Sequence, residues 1–95
     1  MFGFFKKKTK NTTPKYKCPC CGHYTLGVTR QYDICPVCYW EDDPFQFDDP
    51  DLEHEANTVS LNQAKENYKE FGAAQENFIK SVRPPKEDEL FGLDN

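Results

Sequence analysis

The stretch YKCPCCGHY, residues 16–24, places three cysteines within four positions, and CPVC follows at residues 35–38. Two of the three cysteines have the same two-residue spacing as the later pair. Two intervening residues let the chain turn tightly enough for two thiolates to converge on one ion about 2.3 Å away. Two such pairs at close range are typical of a tetrahedral site with four thiolate ligands. The spacing predicts one metal site with four ligands: Cys18, Cys21, Cys35 and Cys38.

The residues around each pair favour the same interpretation. Pro19 and Pro36 each follow the first cysteine of a pair and pre-set φ for a turn. Gly22 follows the first pair and allows a crowded or left-handed backbone. The thirteen residues 22–34 leave room for a hairpin that returns the second pair beside the first. Their Tyr, Thr, Val and Ile content predicts two antiparallel strands, near 23–26 and 31–34.

The predicted metal is Zn(II), with iron as the alternative. Rubredoxins, which bind iron, share both cysteine units but separate them more widely. Visible absorbance distinguishes the two metals because Zn(II) is colourless. A site closed by four cysteines leaves no position for a water ligand, so we expect no hydrolytic chemistry and no enzyme activity.

Cys20 is the cysteine that this pairing leaves over. Its position inside the first turn predicts a side chain that points away from the ion. One interpretation is a small residue packed or exposed beside the site. The other is a redox thiol that, on oxidation, forms a disulfide with a released ligand such as Cys35 or Cys38. The negative charge of the neighbouring thiolates would slow its attack.

Length and composition restrict the class of protein. A chain of 95 residues allows one domain, and a core this small usually needs a metal, disulfides or a partner. Five cysteines, an odd number, suit a disulfide framework poorly. The start MFGFFKKKTK lacks the order of a secretory signal, and no run approaches a membrane span. We therefore expect a cytoplasmic protein with reduced thiols.

Charge is distributed unevenly along the chain. Residues 1–17 carry six lysines and no acid, whereas residues 18–95 carry six basic and sixteen acidic residues. The acidic body argues against nucleic-acid binding. Residues 1–14 are predicted to be a flexible basic and aromatic arm; membrane contact through this arm is the lesser alternative to a solubilising terminus. An acidic surface would suit a basic protein partner.

The second half of the chain has a loop and two predicted helices. Residues 41–57 are dense in acids and indicate a loop with one helical turn after Pro50. We expect Phe45 and Phe47 to hold this loop against the core. Ser60 followed by Gln63 forms a capping box, and Gly72 ends that helix. Its apolar face is Leu61, Ala64, Tyr68 and Phe71. A second helix is predicted near 74–82 with Phe78, Ile79 and Val82 facing inward, before an acidic tail at 84–95.

Several other polar and aromatic residues have structural interpretations. His23 is expected to pack or to support the metal site, and His54 to be solvated. Glu41, Asp42 and Asp43 are expected to cap a turn or face water, with acid–base work or partner recognition as alternatives. Tyr39 and Trp40 are expected to join the core, although aromatic rings can also stack on bases.

The blocks CPCCG, ICPVC, WEDDP, VSL and EFGA together resemble the bacterial cysteine-rich CPCC domain family, over about residues 16–83. The resemblance implies a small zinc-ribbon-like domain with a helical C-terminal half and no assigned reaction. The predicted fold is a small α+β domain at residues 15–83: a four-cysteine zinc ribbon, an acidic loop and two C-terminal helices. The predicted function is a zinc-stabilised protein-interaction or accessory module. The alternatives are a redox sensor centred on Cys20 and an antidote or immunity-type protein that binds a toxin.

Overall fold

The structure, a computed structural model, describes residues 15–91. The predicted arm at 1–14, with its membrane contact, and residues 92–95 of the predicted tail lie outside this range. The elements within it are strands β1 (Tyr16–Lys17) and β2 (Tyr24–Leu26), helix α1 (Pro44–Asp48), helix α2 (Leu61–Phe71), a 3₁₀ helix (Glu76–Ser81) and helix α3 (Glu87–Leu90).

The two strands form an antiparallel hairpin whose connection is the first cysteine turn, residues 18–22. Tyr16 pairs with Leu26, and Lys17 pairs with Tyr24. At the start of the turn the Cys18 amide donates to the His23 carbonyl at 2.8 Å. Gly22 has φ of 82° and donates its own amide to the Cys18 carbonyl at 2.8 Å. This left-handed position is the one that glycine occupies at little cost.

The predicted strand at 23–26 is present, but its predicted partner at 31–34 is wrong. Arg30 and Tyr32 have φ of 61° and 64°, a left-handed conformation that interrupts an extended strand. Only an isolated bridge between Ile34 and Glu41 forms in this region. The strand that pairs with β2 precedes the first cysteine turn, and residues 27–34 form an irregular excursion between the cysteine pairs.

Helix α1 begins at Pro44, six residues earlier than the turn predicted after Pro50. Asp43 caps it, since its Oδ1 accepts the Phe45 amide at 2.8 Å. Proline suits the first helical position because its missing N–H would have no partner there. The prediction that Phe45 and Phe47 pin the loop is wrong, since 61% and 48% of their surface is exposed.

Helix α2 confirms the prediction from capping and periodicity. The Ser60 hydroxyl accepts the Gln63 amide at 3.0 Å, and Gly72 ends the helix with φ of 84°. In a capping box the Gln63 side chain would also accept the Ser60 backbone amide. Here the Gln63 side chain bonds to Asn67 instead. Leu61 and Ala64 are buried and pack against the cysteine turns.

Within the segment predicted as a second helix at 74–82, a 3₁₀ helix covers only Glu76–Ser81 and has no buried residue, whereas Ala74 before it is buried. Ile79 does not face inward as predicted, since 43% of its surface is exposed. Phe78 lies against Tyr39, with ring centroids 4.9 Å apart. The Ala74 amide donates to the Cys38 carbonyl at 2.7 Å, which fixes this segment to the second cysteine turn.

The core lies between the two cysteine turns and α2. Trp40 is fully buried at its centre, as expected, with Val37, Leu26 and Leu61 beside the cysteines. Within the predicted acidic tail, residues Glu87–Leu90 form α3, which packs against β2. The four cysteines predicted as metal ligands therefore belong to the core itself or, for Cys21, pack against it.

Candidate metal centre

The structure brings the four predicted ligands together from the two cysteine turns. The Sγ atoms of Cys18 and Cys38 are 3.6 Å apart, and those of Cys21 and Cys35 are 3.7 Å apart. All four sulfurs lie within 4.8 Å of one another, the one such cluster among residues 15–91. Four sulfurs placed tetrahedrally about 2.3 Å from a common centre lie about 3.8 Å apart. The donor set therefore fits a tetrahedral metal ion.

Each turn is closed by backbone hydrogen bonds that aim its sulfurs inward. In the second turn the Tyr39 amide donates to the Cys35 carbonyl at 2.7 Å, and the Cys35 amide donates to the Trp40 carbonyl at 3.0 Å. Tyr39 has φ of 71° and so occupies the position that Gly22 holds in the first turn. The two turns present their cysteines in the same way although only one contains glycine.

Two donors from the protein reach the sulfurs. The Thr25 hydroxyl donates to Cys35 Sγ at 2.9 Å, and the Trp40 amide donates to Cys38 Sγ at 3.4 Å. Such contacts offset thiolate charge and orient the ligands. Thr25 is a contributor that the sequence analysis missed. The only feature of the sequence that could have indicated this role is the place of Thr25 on a predicted strand beside the first turn.

The four thiols perturb one another strongly. Contact with Cys21 raises the pKa of Cys18, contact with Cys18 raises the pKa of Cys38, and contact with Cys18 lowers the pKa of Cys35. Adjacent thiolates repel each other in a site where Cys18, Cys35 and Cys38 are fully buried. Only a cation at the centre lets all four ionise together, which is the chemistry that a metal ion supplies when bound.

Cys20 is not part of the four-sulfur cluster. It is 7% exposed and packs in the core beside the site. It also lines two neighbouring surface cavities, of about 630 and 460 Å³, between the first cysteine turn and α2. Its thiol contributes to the raised pKa of Cys38, after the larger contribution of Cys18. Cys20 therefore lies next to a ligand and close to the surface.

The two histidines are not in the cluster either. His23 packs edge-on against Tyr68, with ring centroids 6.0 Å apart, and its buried Nδ1 has no hydrogen-bond partner among residues 15–91. Burial, and to a smaller extent the nearby cysteines, raises the pKa of Tyr68 to about 12. His54 is exposed, as expected, with Nε2 3.8 Å from Glu53. These positions give His23 a packing role.

The acids after Trp40 hold the backbone together. Asp42 accepts the Arg30 amide at 2.7 Å, and the second carboxylate oxygen of Asp43 accepts the Ala56 amide at 3.0 Å. Both aspartates are almost fully buried. The expected capping role is therefore confirmed for Asp43, and Asp42 caps the irregular excursion in the same manner.

A second group that the sequence analysis missed lies at the C-terminal edge of the site. Arg83 donates its backbone amide to the Pro36 carbonyl at 3.3 Å. Its guanidinium makes two hydrogen bonds to Glu89, at 2.9 and 2.8 Å, and the Glu89 side chain is 5% exposed. Glu89 raises the pKa of Arg83, and Cys35 adds a smaller electrostatic effect. This pair ties α3 to the second cysteine turn.

The sequence matches a known protein family over most of its length. The chain matches the model of the family described as Cysteine-rich CPCC over residues 16–89, which includes both cysteine turns and ends at the Arg83–Glu89 pair. A search of curated proteins finds no match to this sequence. No helix within residues 15–91 is both long enough and apolar enough to cross a membrane.

Proposed function

The chain belongs to the cysteine-rich CPCC family, and we propose that it is a protein-interaction module whose fold is held together by one structural Zn(II) in a zinc-ribbon-like site. The cluster of four thiols from two turns is the observation that carries this proposal. Three of the four ligands are fully buried, and no His, Asp or Glu in the described residues joins the cluster. A metal ion in such a site stabilises the fold, and it has no open position for the water that hydrolysis needs.

The identity of the metal is tested on freshly purified protein. We expect one zinc per chain by inductively coupled plasma mass spectrometry and no visible absorbance. Iron in stoichiometric amount, with visible thiolate-to-iron bands, would contradict the zinc assignment and leave the four-thiolate site intact.

We propose that the contact surface is the exposed part of the acidic segment. The carboxylates of Asp42 and Asp43 are almost fully buried and accept backbone amides, so they do not serve this role. The exposed acids begin at the last residue of α1 and are Asp48, Asp49, Asp51, Glu53 and Glu55. A carboxylate-rich surface favours a basic protein partner by electrostatic steering, and an antidote-type role against a basic toxin is one form that such binding could take.

Charge reversal tests this surface. The variant D49K/D51K/E55K changes exposed side chains only and leaves the buried carboxylates in place. Affinity purification from the native cell, with quantitative mass spectrometry, should show a partner that the variant loses and that purified components reproduce. A partner retained equally by the variant would contradict the acidic contact surface.

A second candidate function, a thiol redox sensor, is favoured by the position of Cys20 in the same core cluster as Cys38 and along two surface cavities. Hydrogen peroxide would oxidise these two thiols to one disulfide, with release of two waters and of the metal ion. Peroxide-driven zinc release, followed with a chromogenic chelator, should be lost in C20S. Equal release from the variant and the natural protein would reject this function.

A further inference from the structure

Helix α1 reverses the usual distribution of polar and apolar side chains. Gln46 is completely buried, whereas Phe45 and Phe47 on either side of it are 61% and 48% exposed. Glutamine is mostly found at protein surfaces, and phenylalanine is among the residues most often buried. The reversal therefore needs a physical cause and leaves two aromatic rings available.

The cause of the reversal is a fully satisfied amide in the interior. Gln46 Nε2 lies 2.9, 3.1 and 3.0 Å from the carbonyl oxygens of Leu52, Asn57 and Val59. Its Oε1 accepts from the backbone amide and the side chain of Asn57, at 3.1 and 2.9 Å. These bonds fasten the 52–59 loop to α1. Because Gln46 and the Asp43 cap fix the helix, neither phenylalanine is needed to hold it.

One intramolecular contact shows what chemistry this surface accepts. Arg30 lies 5.9 Å from the centroid of the Phe47 ring and makes two 3.0 Å hydrogen bonds to Asp48. A cation beside an aromatic ring and a carboxylate is a favourable arrangement. Within residues 15–91, Asp49, Asp51 and Glu55 have no such cationic partner. These three exposed acids, which follow α1 in the chain, are thus not paired with a cation among the described residues; Asp51 accepts a hydrogen bond from the neutral Asn62 side chain at 2.9 Å.

We propose that Phe45 and Phe47 are the apolar anchors of the acidic contact surface, and that the occupant is a protein segment with apolar side chains next to lysine or arginine. This inference rests on the proposed function and specifies its partner. Exposed aromatic rings with charged groups around them that complement the partner's charges are the usual anchors of protein interfaces. Lys17 and Lys65 line the cavity that Phe47 also lines, so the partner's cations are assigned to the exposed acids at 48–55.

A second copy of this chain fits the surface less well. In a two-fold symmetric dimer the same patch would meet itself, and the acids at 48–55 of the two copies would be brought together. Like charges across an interface oppose association. The same acids favour a basic segment, which is why we assign that occupant.

The test uses two synthetic 14-residue peptides of equal positive charge, one of leucine and lysine and one of serine and lysine. Binding to the metal-loaded full chain is measured by isothermal titration calorimetry. We expect the leucine peptide to bind at least about tenfold more tightly. F45S/F47S should abolish this preference and leave binding of the serine peptide unchanged. F45S alone, at the more exposed ring, should reduce the preference if the double variant folds poorly.

Two controls separate the inference from the proposed function. I79S, which removes an exposed apolar side chain on the 3₁₀ helix, should keep the preference. D49K/D51K/E55K should weaken both peptides. Preference for the leucine peptide that survives F45S/F47S would overturn the anchor assignment alone, whereas peptide binding unaffected by charge reversal would overturn the acidic surface itself. A dimer in sedimentation velocity that F45S/F47S dissociates would identify a second copy as occupant and overturn the basic partner.

Discussion

The two cysteine turns and the segment 44–55 solve the problem of a small core in opposite ways. The turns place thiols in the interior, where they are unfavourable together unless a cation joins them. The 44–55 segment places one amide in the interior and satisfies it completely, so its aromatic rings can remain outside. We propose that one region depends on an ion, whereas the other depends on hydrogen bonds. On this proposal the cysteines carry the stability, whereas the exposed aromatic residues of α1 remain available for binding.

The largest effect should come from removing a ligand. C35S takes away a buried thiolate that Thr25 supports, so we expect no stoichiometric metal and no cooperative unfolding transition. C20S is the matched control, because Cys20 lies in the same core but outside the four-sulfur cluster. Metal content and circular dichroism should separate the two variants. A C35S protein that folds like C20S would contradict the structural role of the metal.

The second-largest effect should come from removing the hydrogen bonds of Gln46. Q46A removes the amide that bonds to the 52–59 loop, leaves carbonyls unpaired and opens a cavity, so we expect a loss of about 3 kcal/mol in the free energy of unfolding. F45S should cost only about 1 kcal/mol, because most of that ring is already exposed. Urea denaturation of the metal-loaded proteins measures both. A larger loss of unfolding free energy for F45S than for Q46A would contradict the conclusion that Gln46, and not Phe45, holds α1 in place.

A smaller effect is expected at the Arg83–Glu89 pair. E89Q should lower stability by about 1–2 kcal/mol and speed transfer of the metal to a competing chelator, because α3 then separates from the second cysteine turn more readily. Arg83 lowers the pKa of Glu89, so this contribution is present at neutral pH and is lost as pH falls through the lowered value. The control is D48N, which breaks an exposed pair with Arg30 and should leave the transfer rate unchanged. Equal rates in E89Q and the natural protein would reject this role.

The smallest effect concerns the N-terminal cap of α2, whose hydroxyl bonds to Gln63 and to neither the cysteines nor Gln46. S60A removes the hydroxyl that accepts the Gln63 amide and should cost about 1 kcal/mol. Metal content and peptide binding should not change. A loss of metal in S60A would show that α2 and the cysteine turns are coupled more tightly than their contacts suggest.

The predictions from sequence succeeded where a pattern is local. The paired cysteine spacing, the Ser60 cap and the Gly72 terminus are each specified by residues a few positions apart, and the structure contains all three arrangements. The strand predicted to pair with β2 is wrong because Arg30 and Tyr32 adopt left-handed φ values, which arginine and tyrosine do not predict. The exposure of Phe45 was missed because it depends on the carbonyls that Gln46 meets elsewhere in the chain. Thr25 and the Arg83–Glu89 pair join the site only through the tertiary fold.

The measurement that tests the central claim most directly is removal of the metal with a strong chelator while the fluorescence of Trp40 and the far-ultraviolet circular dichroism are recorded. Trp40 is the one tryptophan, is fully buried and donates its amide to Cys38 Sγ, so it reports on the second cysteine turn. We expect the emission to shift to the red and ordered structure to be lost in parallel with the metal, and both to return when Zn(II) is restored. Unchanged emission and circular dichroism in the metal-free protein would contradict the claim that the ion holds this fold together.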